Sequence, residues 1–250
     1  LNISDNWDLA ISSAKGDYVS LITDKMLFAE GSLSRIKKNI KLFKPDIFSW
    51  NYSYINFEKK FNLKSKVTIN NFVNFTNDKP YFFSGWQDLK NRCEAKKSRI
   101  ELSIENYTRG KICFGFYSRK ILKKIKNLKG NYSKGSCPDY SSLLPALYLS
   151  KKSLHSPATY VFFIHPGKKK RWSTGHQAHL NEEFSKELFE KLEKKIKSYF
   201  LIPNLYISQH NFVSSEFLYF LKLIKKTSLF DFFNWSLYIM EDIFFKKRLW

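Results

Sequence analysis

The chain has 250 residues, 43% of them apolar and 18% aromatic, which is enough to bury a core and too apolar for a disordered protein. Forty-three Lys and Arg against 22 Asp and Glu leave a net charge of +21, a field that favours anionic partners: nucleic acid, anionic lipid or phosphate-bearing small molecules. The three cysteines, Cys93, Cys113 and Cys137, are far apart, which excludes a disulfide framework or a CxxC pair and fits a reducing compartment. No apolar run reaches the length of about 18–20 residues that spans a bilayer. No signal peptide precedes Leu1, and the first residue is not Met, so a fragment of a longer protein is expected.

Trp7, Ala10, Ile11 and Ala14 recur at helical spacing, with Ser4 or Asp5 to cap the start and Gly16 where a C-terminal cap belongs. Tyr18 to Ile22 reads as a buried strand that ends on Thr23-Asp24. Ser32 is expected to cap a second helix with a stripe of Leu33, Ile36, Ile40 and Phe43, stopped by Pro45. Asp46 to Tyr54 reads as a strand, Val67 to Ile69 as a short one, and Trp86 to Ile104 as a charged helix. Ile112 to Tyr117 is apolar, and Ser118 caps a helix through Ile125. A loop from Gly130 to Gly135 leads to Cys137-Pro138-Asp139-Tyr140 and an apolar segment to Leu149, which Pro145 would kink or restart. Ala158 to Ile164 is a strand, and Pro166 to Gly175 a basic loop. Past Asn181 the composition changes. Phe184, Leu188, Leu192, Ile196 and Tyr199 line a long charged helix, and residues 212–250 read as helical. A domain over 1–180 and a helical C-terminal extension over 181–250 are expected.

Three places can carry chemistry. Asp24, just past a buried strand, suits a divalent cation or a sugar hydroxyl, or equally a turn. Asp139 suits a general base at the mouth of a site or a helix N-cap. Lys168 to Gly175, with Lys170, Arg171, Ser173 and Thr174, suits phosphate oxygens or is a solvated charge run. His176 and His179 have no third ligand at metal-site spacing, and the five histidines read as surface or core residues. No P-loop, GxGxxG or GxSxG occurs, which leaves NTPases and nucleophilic hydrolases without support.

The series Asn6-Trp7-x-x-Ala10-x-x-x-Ala14-Lys15-Gly16-Asp17-Tyr18-Val19, then the strand and Thr23-Asp24, resembles the middle of the nucleotide-sugar-binding domain of family 2 glycosyltransferases. Pro138-Asp139-Tyr140 is similar to the segment that carries their catalytic base. The strand at 158–164 followed by Ser173-Thr174-Gly175 is similar to the closing part of that domain. The match covers residues 6–175. It implies an α/β chain with a GT-A-like mixed central sheet flanked by helices, whose opening strand–helix–strand, the base-binding part, lies upstream of Leu1. It also implies transfer of a sugar from a nucleotide-diphosphate donor to a hydroxyl acceptor, a surface polysaccharide or lipid-linked glycan, with inversion. Asp139 would be the base. Asn6, Thr23, Asp24 and Lys25 would face the donor, and Lys170, Arg171, Ser173 and Thr174 the phosphates or acceptor. Family members carry two or three carboxylates after the strand that grip Mn²⁺ or Mg²⁺. Here Asp24 is followed by Lys25 and Met26: either Asp24 holds the metal with little help, or metal use is lost and Lys25, with Lys168 to Arg171, neutralises the diphosphate in its place. A cytoplasmic enzyme of bacterial type is implied; the basic surface and the end Phe244-Phe245-Lys246-Lys247-Arg248-Leu249-Trp250 suit the anionic inner face of the membrane, or equally that end is a core-packing helix end. The alternatives are a basic nucleic-acid-binding protein, which no recognisable module supports, and a catalytically inactive scaffold of the same fold.

Overall fold

The computed structural model describes residues 3–57, 67–69, 79–95, 103–165, 200–203, 205 and 208–247. In chain order the elements are α1 (Ile3–Ser13), β1 (Tyr18–Val19), β2 (Met26–Phe28), α2 (Ser32–Phe43), β3 (Ile47–Phe57), β4 (Val67–Ile69) and β5 (Tyr81–Phe83). Then follow α3 (Gly85–Cys93), α4 (Ile104–Thr108), a 3-10 turn (Ile112–Phe114), β6 (Gly115–Ser118), α5 (Arg119–Lys129), α6 (Pro138–Leu149) and β7 (Ser153–His165). The last described elements are α7 (Gln209–Leu223), a second 3-10 turn (Thr227–Leu229) and α8 (Phe232–Lys247).

Ile47, Phe48, Ser49 and Trp50 of β3 are all buried, so this strand is covered on both faces and sits at the centre of a mixed sheet. The strand order is β1-β6-β3-β7-β2. β3 and β7 run parallel, and β6 lies antiparallel against the first half of β3, with Ile47 opposite Tyr117. β1 pairs antiparallel with β6, and β2 with the far half of β7. The two long strands change partners along their length: β4 joins β3 beyond β6, and β5 joins the start of β7. This curls the sheet.

Side chains alternate along β3 and so feed two cores. Ile47 lies in one core with Leu89, Tyr117, Ile121, Leu143 and Leu147, and this core also takes in Phe217, Phe220 and Trp235 of α7 and α8. Phe48, Trp50 and Tyr52 face the other way, against Ile36, Phe114 and Tyr160. Trp7 packs against both. The predicted C-terminal extension thus contributes, through α7 and α8, to the same core as the sheet. The predicted boundary near 180 and the helix of Phe184 to Tyr199 lie outside the described residues.

Caps follow the sequence in part. Ser118 accepts from the Ile121 N–H at 3.3 Å and starts α5, which Gly130 ends at φ 79°. At α2 the N-cap is Gly31, with Ser32 the first helical residue. Gly16 does not cap α1 in the left-handed region. Arg119 instead donates to the carbonyls of Gly16 (3.2 and 2.9 Å) and Ala14, closing the helix end from a distant part of the chain. The charged helix predicted over 86–104 stops at Cys93, where Ala95 takes a φ of 45°.

α6 runs unbroken through Pro145. A proline inside a helix leaves the carbonyl four residues back without its N–H. That carbonyl, of Ser141, accepts from Nζ of Lys129 at 3.0 Å.

β7 carries Pro157, which has no N–H to give a central strand. The register shifts there: two steps along β3, from Trp50 to Tyr52, match five along β7, from Ser156 to Val161. Nδ2 of Asn51 donates to the Pro157 carbonyl at 3.0 Å, and Oδ1 of Asn51 accepts from Thr108 at 3.0 Å.

Candidate functional site

β1 ends at one edge of the sheet and β2 begins at the other, so residues 20–25 cross its end. On the way the Leu21 N–H and the Ser20 hydroxyl donate to the carbonyl of Ile112, each at 3.4 Å. The bend is closed by Thr23, whose carbonyl accepts from Met26 N at 3.1 Å and whose hydroxyl accepts from Lys25 N at 3.4 Å. Thr23 and Lys25 are half-buried and Asp24 is exposed. Lys25 leads into β2, and its carbonyl accepts from Ile164 N at 2.7 Å.

Ile112 follows Lys111, a lysine buried completely. Gly110 aims it inward. This glycine has φ 82°, and a Cβ there would come within 2.9 Å of Leu143 and Leu147, so no other residue fits without strain. Its N–H donates to Ser49 Oγ at 3.0 Å and its carbonyl accepts from Tyr117 at 2.7 Å. Lys111 Nζ then lies 3.6 Å from the Tyr107 ring centre, 4.2 Å from that of Tyr140, and 3.1 Å from Oδ2 of Asp139. Two ring faces and one carboxylate stabilise a cation that water cannot reach.

Asp139 sits in the first turn of α6, behind Cys137 as N-cap and Pro138, and is 26% exposed. It is therefore not the cap that position alone allowed. The turn before it is held by Glu216, a fully buried carboxylate from α7. Glu216 accepts from the N–H and hydroxyl of Ser136, the latter at 2.6 Å, and from the N–H of Cys137 at 3.1 Å. Burial pushes its carboxyl up; Lys129 and these donors pull it partway back. The same loop is tied to α1. Asp8 accepts from the N–H groups of Tyr132 (2.6 Å) and Ser133 (2.9 Å), and Ser4 Oγ accepts from Gly135 N at 3.2 Å. Asn6 lies exposed on this helix.

The structure thus gathers part of the expected set. Ser20 and Leu21, which lead into the Thr23–Lys25 bend, are hydrogen-bonded to Ile112 beside Lys111, and Lys111 is paired with Asp139. Lys170, Arg171, Ser173 and Thr174 lie outside the described residues. Lys111 and Glu216 were missed in the sequence. The signal for each is faint: a lysine at the head of the apolar run from Ile112, and a lone carboxylate among Phe212, Val213 and Phe217.

Other titratable groups are structural. Asp88 takes Nε of Arg109 and Nε of Arg92, each at 2.9 Å, and ties α3 to the end of α4. Burial would raise its carboxyl, but the two guanidinium groups outweigh it and hold it below the ordinary range. His155 Nδ1 lies 2.9 Å from Ser49 Oγ, and burial lowers its pKa to about 3, leaving a neutral ring unsuited to base catalysis near pH 7. Burial also pushes the thiols of Cys93 and Cys113 up to about 12 and that of Cys137 well above its usual value, so none is a thiolate nucleophile. Among the described residues no three His, Cys, Asp or Glu side chains converge as metal ligands. Asp24 stands as a single exposed carboxylate beside Lys25, a donor set that does not fit a hard divalent cation, which takes six or more oxygens.

No protein-family model matches the chain, and no curated protein matches it.

Proposed function

We propose that the chain is a glycosyltransferase of GT-A type, which moves a sugar from a nucleotide-diphosphate donor to a hydroxyl acceptor with inversion. The observation that carries this reading is the partly open carboxylate of Asp139, fixed on a helix start by the buried Lys111. A mixed sheet with antiparallel β6 between β1 and the parallel pair β3 and β7 is compatible with it.

Asp139 takes the proton of the acceptor hydroxyl as that oxygen attacks the anomeric carbon and the bond to the diphosphate breaks. Lys111 holds Oδ2, so the carboxylate presents one orientation to the acceptor. Negative charge grows on the departing diphosphate. Lys25, Lys170 and Arg171 are the cations assigned to it, and such groups stabilise the transition state more than the ground state. No step is assigned to a metal ion.

The test is titration of UDP, GDP and dTDP into the full chain, followed by release of nucleoside diphosphate from the matching nucleotide sugars. Asp139→Asn is made together with Lys111→Met, so that no buried ammonium loses its counter-charge. One nucleotide is expected to bind saturably in both proteins, and turnover is expected to fall by about 10²–10⁴-fold in the double variant. Absence of binding by all three nucleotides, or near-normal turnover in the variant, would reject the reading. Turnover that EDTA abolishes and Mn²⁺ restores would reject the metal-free form of it. A second reading, an inactive scaffold, draws on the same ion pair, since Asp139 then serves only to neutralise Lys111. Donor hydrolysis by the unmodified chain excludes it.

A further inference from the structure

α8 is apolar on two opposite sides. Trp235 and Ile239, one turn apart, are buried in the core, with Tyr238 packed beside them. Phe233, Leu237, Met240 and Phe244 recur at steps of four, three and four residues, and so form one line on the other side. All four are exposed, from 39% at Met240 to 71% at Phe233. The line is about 16 Å long at 1.5 Å per residue. A surface helix ordinarily turns polar side chains to water, and a contiguous apolar line there marks an interaction site.

Charge decides the occupant. From Lys222 to Arg248 the sequence holds six cations and three carboxylates. Lys225 and Lys226 are exposed in the turn that leads into α8, and past the line the chain reads Lys246-Lys247-Arg248. A second copy would bring its own charge of +21 against this one. The line also offers an area on the order of 500 Å², short of the roughly 800 Å² per partner of a stable protein interface. A bilayer needs no matching surface. It takes an apolar line at the level of the upper acyl chains and cations at the headgroups. Among the described residues no helix is long and apolar enough to cross a membrane, so α8 is suited to lie on one.

We propose that α8 docks the protein on an anionic lipid surface, with Phe233, Leu237, Met240 and Phe244 entering the interface and the flanking Lys and Arg facing the headgroups. Lipid docking is measured without donor or acceptor, so it stands or falls separately from sugar transfer.

The test is flotation of the full chain with vesicles of phosphatidylcholine alone and with about one-third phosphatidylglycerol. The protein is expected to float with the anionic vesicles and to remain below with the neutral ones. Phe233→Ser, Leu237→Ser and Phe244→Ser together are expected to weaken that partition by more than about tenfold. These side chains point to water, so the thermal midpoint should stay within a few degrees. The proposal is overturned if the unaltered chain ignores anionic vesicles, or if the triple variant floats as well as it does. Self-association that disappears in the triple variant, with no vesicle binding, would give the line to a second copy instead and also overturn it.

Discussion

At His155 the ring is walled off from water and, among the described residues, Nε2 has no hydrogen-bond partner, so the neutral form is the one the fold accepts. The unfolded chain takes up this proton near pH 6.5, the folded chain only near pH 3. The stabilising contribution is thus complete above pH 6.5 and is lost as pH falls toward 3, by up to about 1.4 kcal/mol per pH unit. Asp88 acts in the same direction lower down: its contribution is present above its unfolded value of 3.8 and is lost as pH falls through its depressed folded value. Glu216 opposes both, because a raised carboxyl contributes below its unfolded value of 4.5 and loses this as pH rises through its folded value. His155→Asn keeps a polar group for Ser49 and removes the titration. Between pH 7 and 5 the stability difference in urea should move toward the variant by about 2 kcal/mol. A difference that stays constant would contradict the assignment of a neutral ring. None of this is legible in the sequence, where His155 is one of five histidines without a motif. What buries it is the pairing of β3 with β7.

α6 shows the same limit at the scale of one element. Cys137-Pro138-Asp139 announces a helix start, and Pro145 announces its kink or restart. The start is where it was expected and the break does not occur. The reason is Lys129, twelve residues before Ser141, whose ammonium replaces the missing N–H and also meets the Ser141 hydroxyl. A local pattern cannot report a donor that arrives from the end of another helix. Lys129→Met is expected to destabilise the protein by about 1–3 kcal/mol, the penalty for a buried carbonyl left unpaired. In a Pro145→Ala background, where the helical N–H returns, the loss should shrink to less than about half. Equal losses in the two backgrounds, measured by denaturant titration, would show that Lys129 acts elsewhere. By contrast the Ser118 cap and the helix through Ile125 are legible, because each depends on neighbours within four residues.

For the whole molecule, the composition does change past Asn181, and that was read as a boundary. Packing joins what composition separates. Phe217, Phe220 and Trp235 complete the core around Leu143 and Leu147, and Glu216 supplies the polar partner of the loop into α6. Residues 1–207 expressed alone should therefore lack a cooperative thermal transition and aggregate, since each large side chain removed from the core is worth about 3–5 kcal/mol. A sharp transition in that fragment would show that the sheet folds without α7 and α8. The candidate site was half legible for a related reason. Asp139 and the bend at Thr23 are marked by short motifs, whereas Lys111 and Glu216 matter only once three remote segments have met. The charge of +21 is plain from the sequence, whereas the exposed line on α8 emerges only from the packing of that helix.

The proline in β7 bears on how the chain finds this fold. Parallel strands a hundred residues apart close a long loop before any contact rewards them, and they are free to zip in shifted alignments. Pro157 penalises most of those alignments, because only a bulge tolerates a residue with no N–H in mid-sheet. Asn51 recognises the bulge through the Pro157 carbonyl and is itself held by Thr108. The Asn51–Pro157 contact thus belongs to one register of β3 on β7, and a sheet shifted by a residue forms without it.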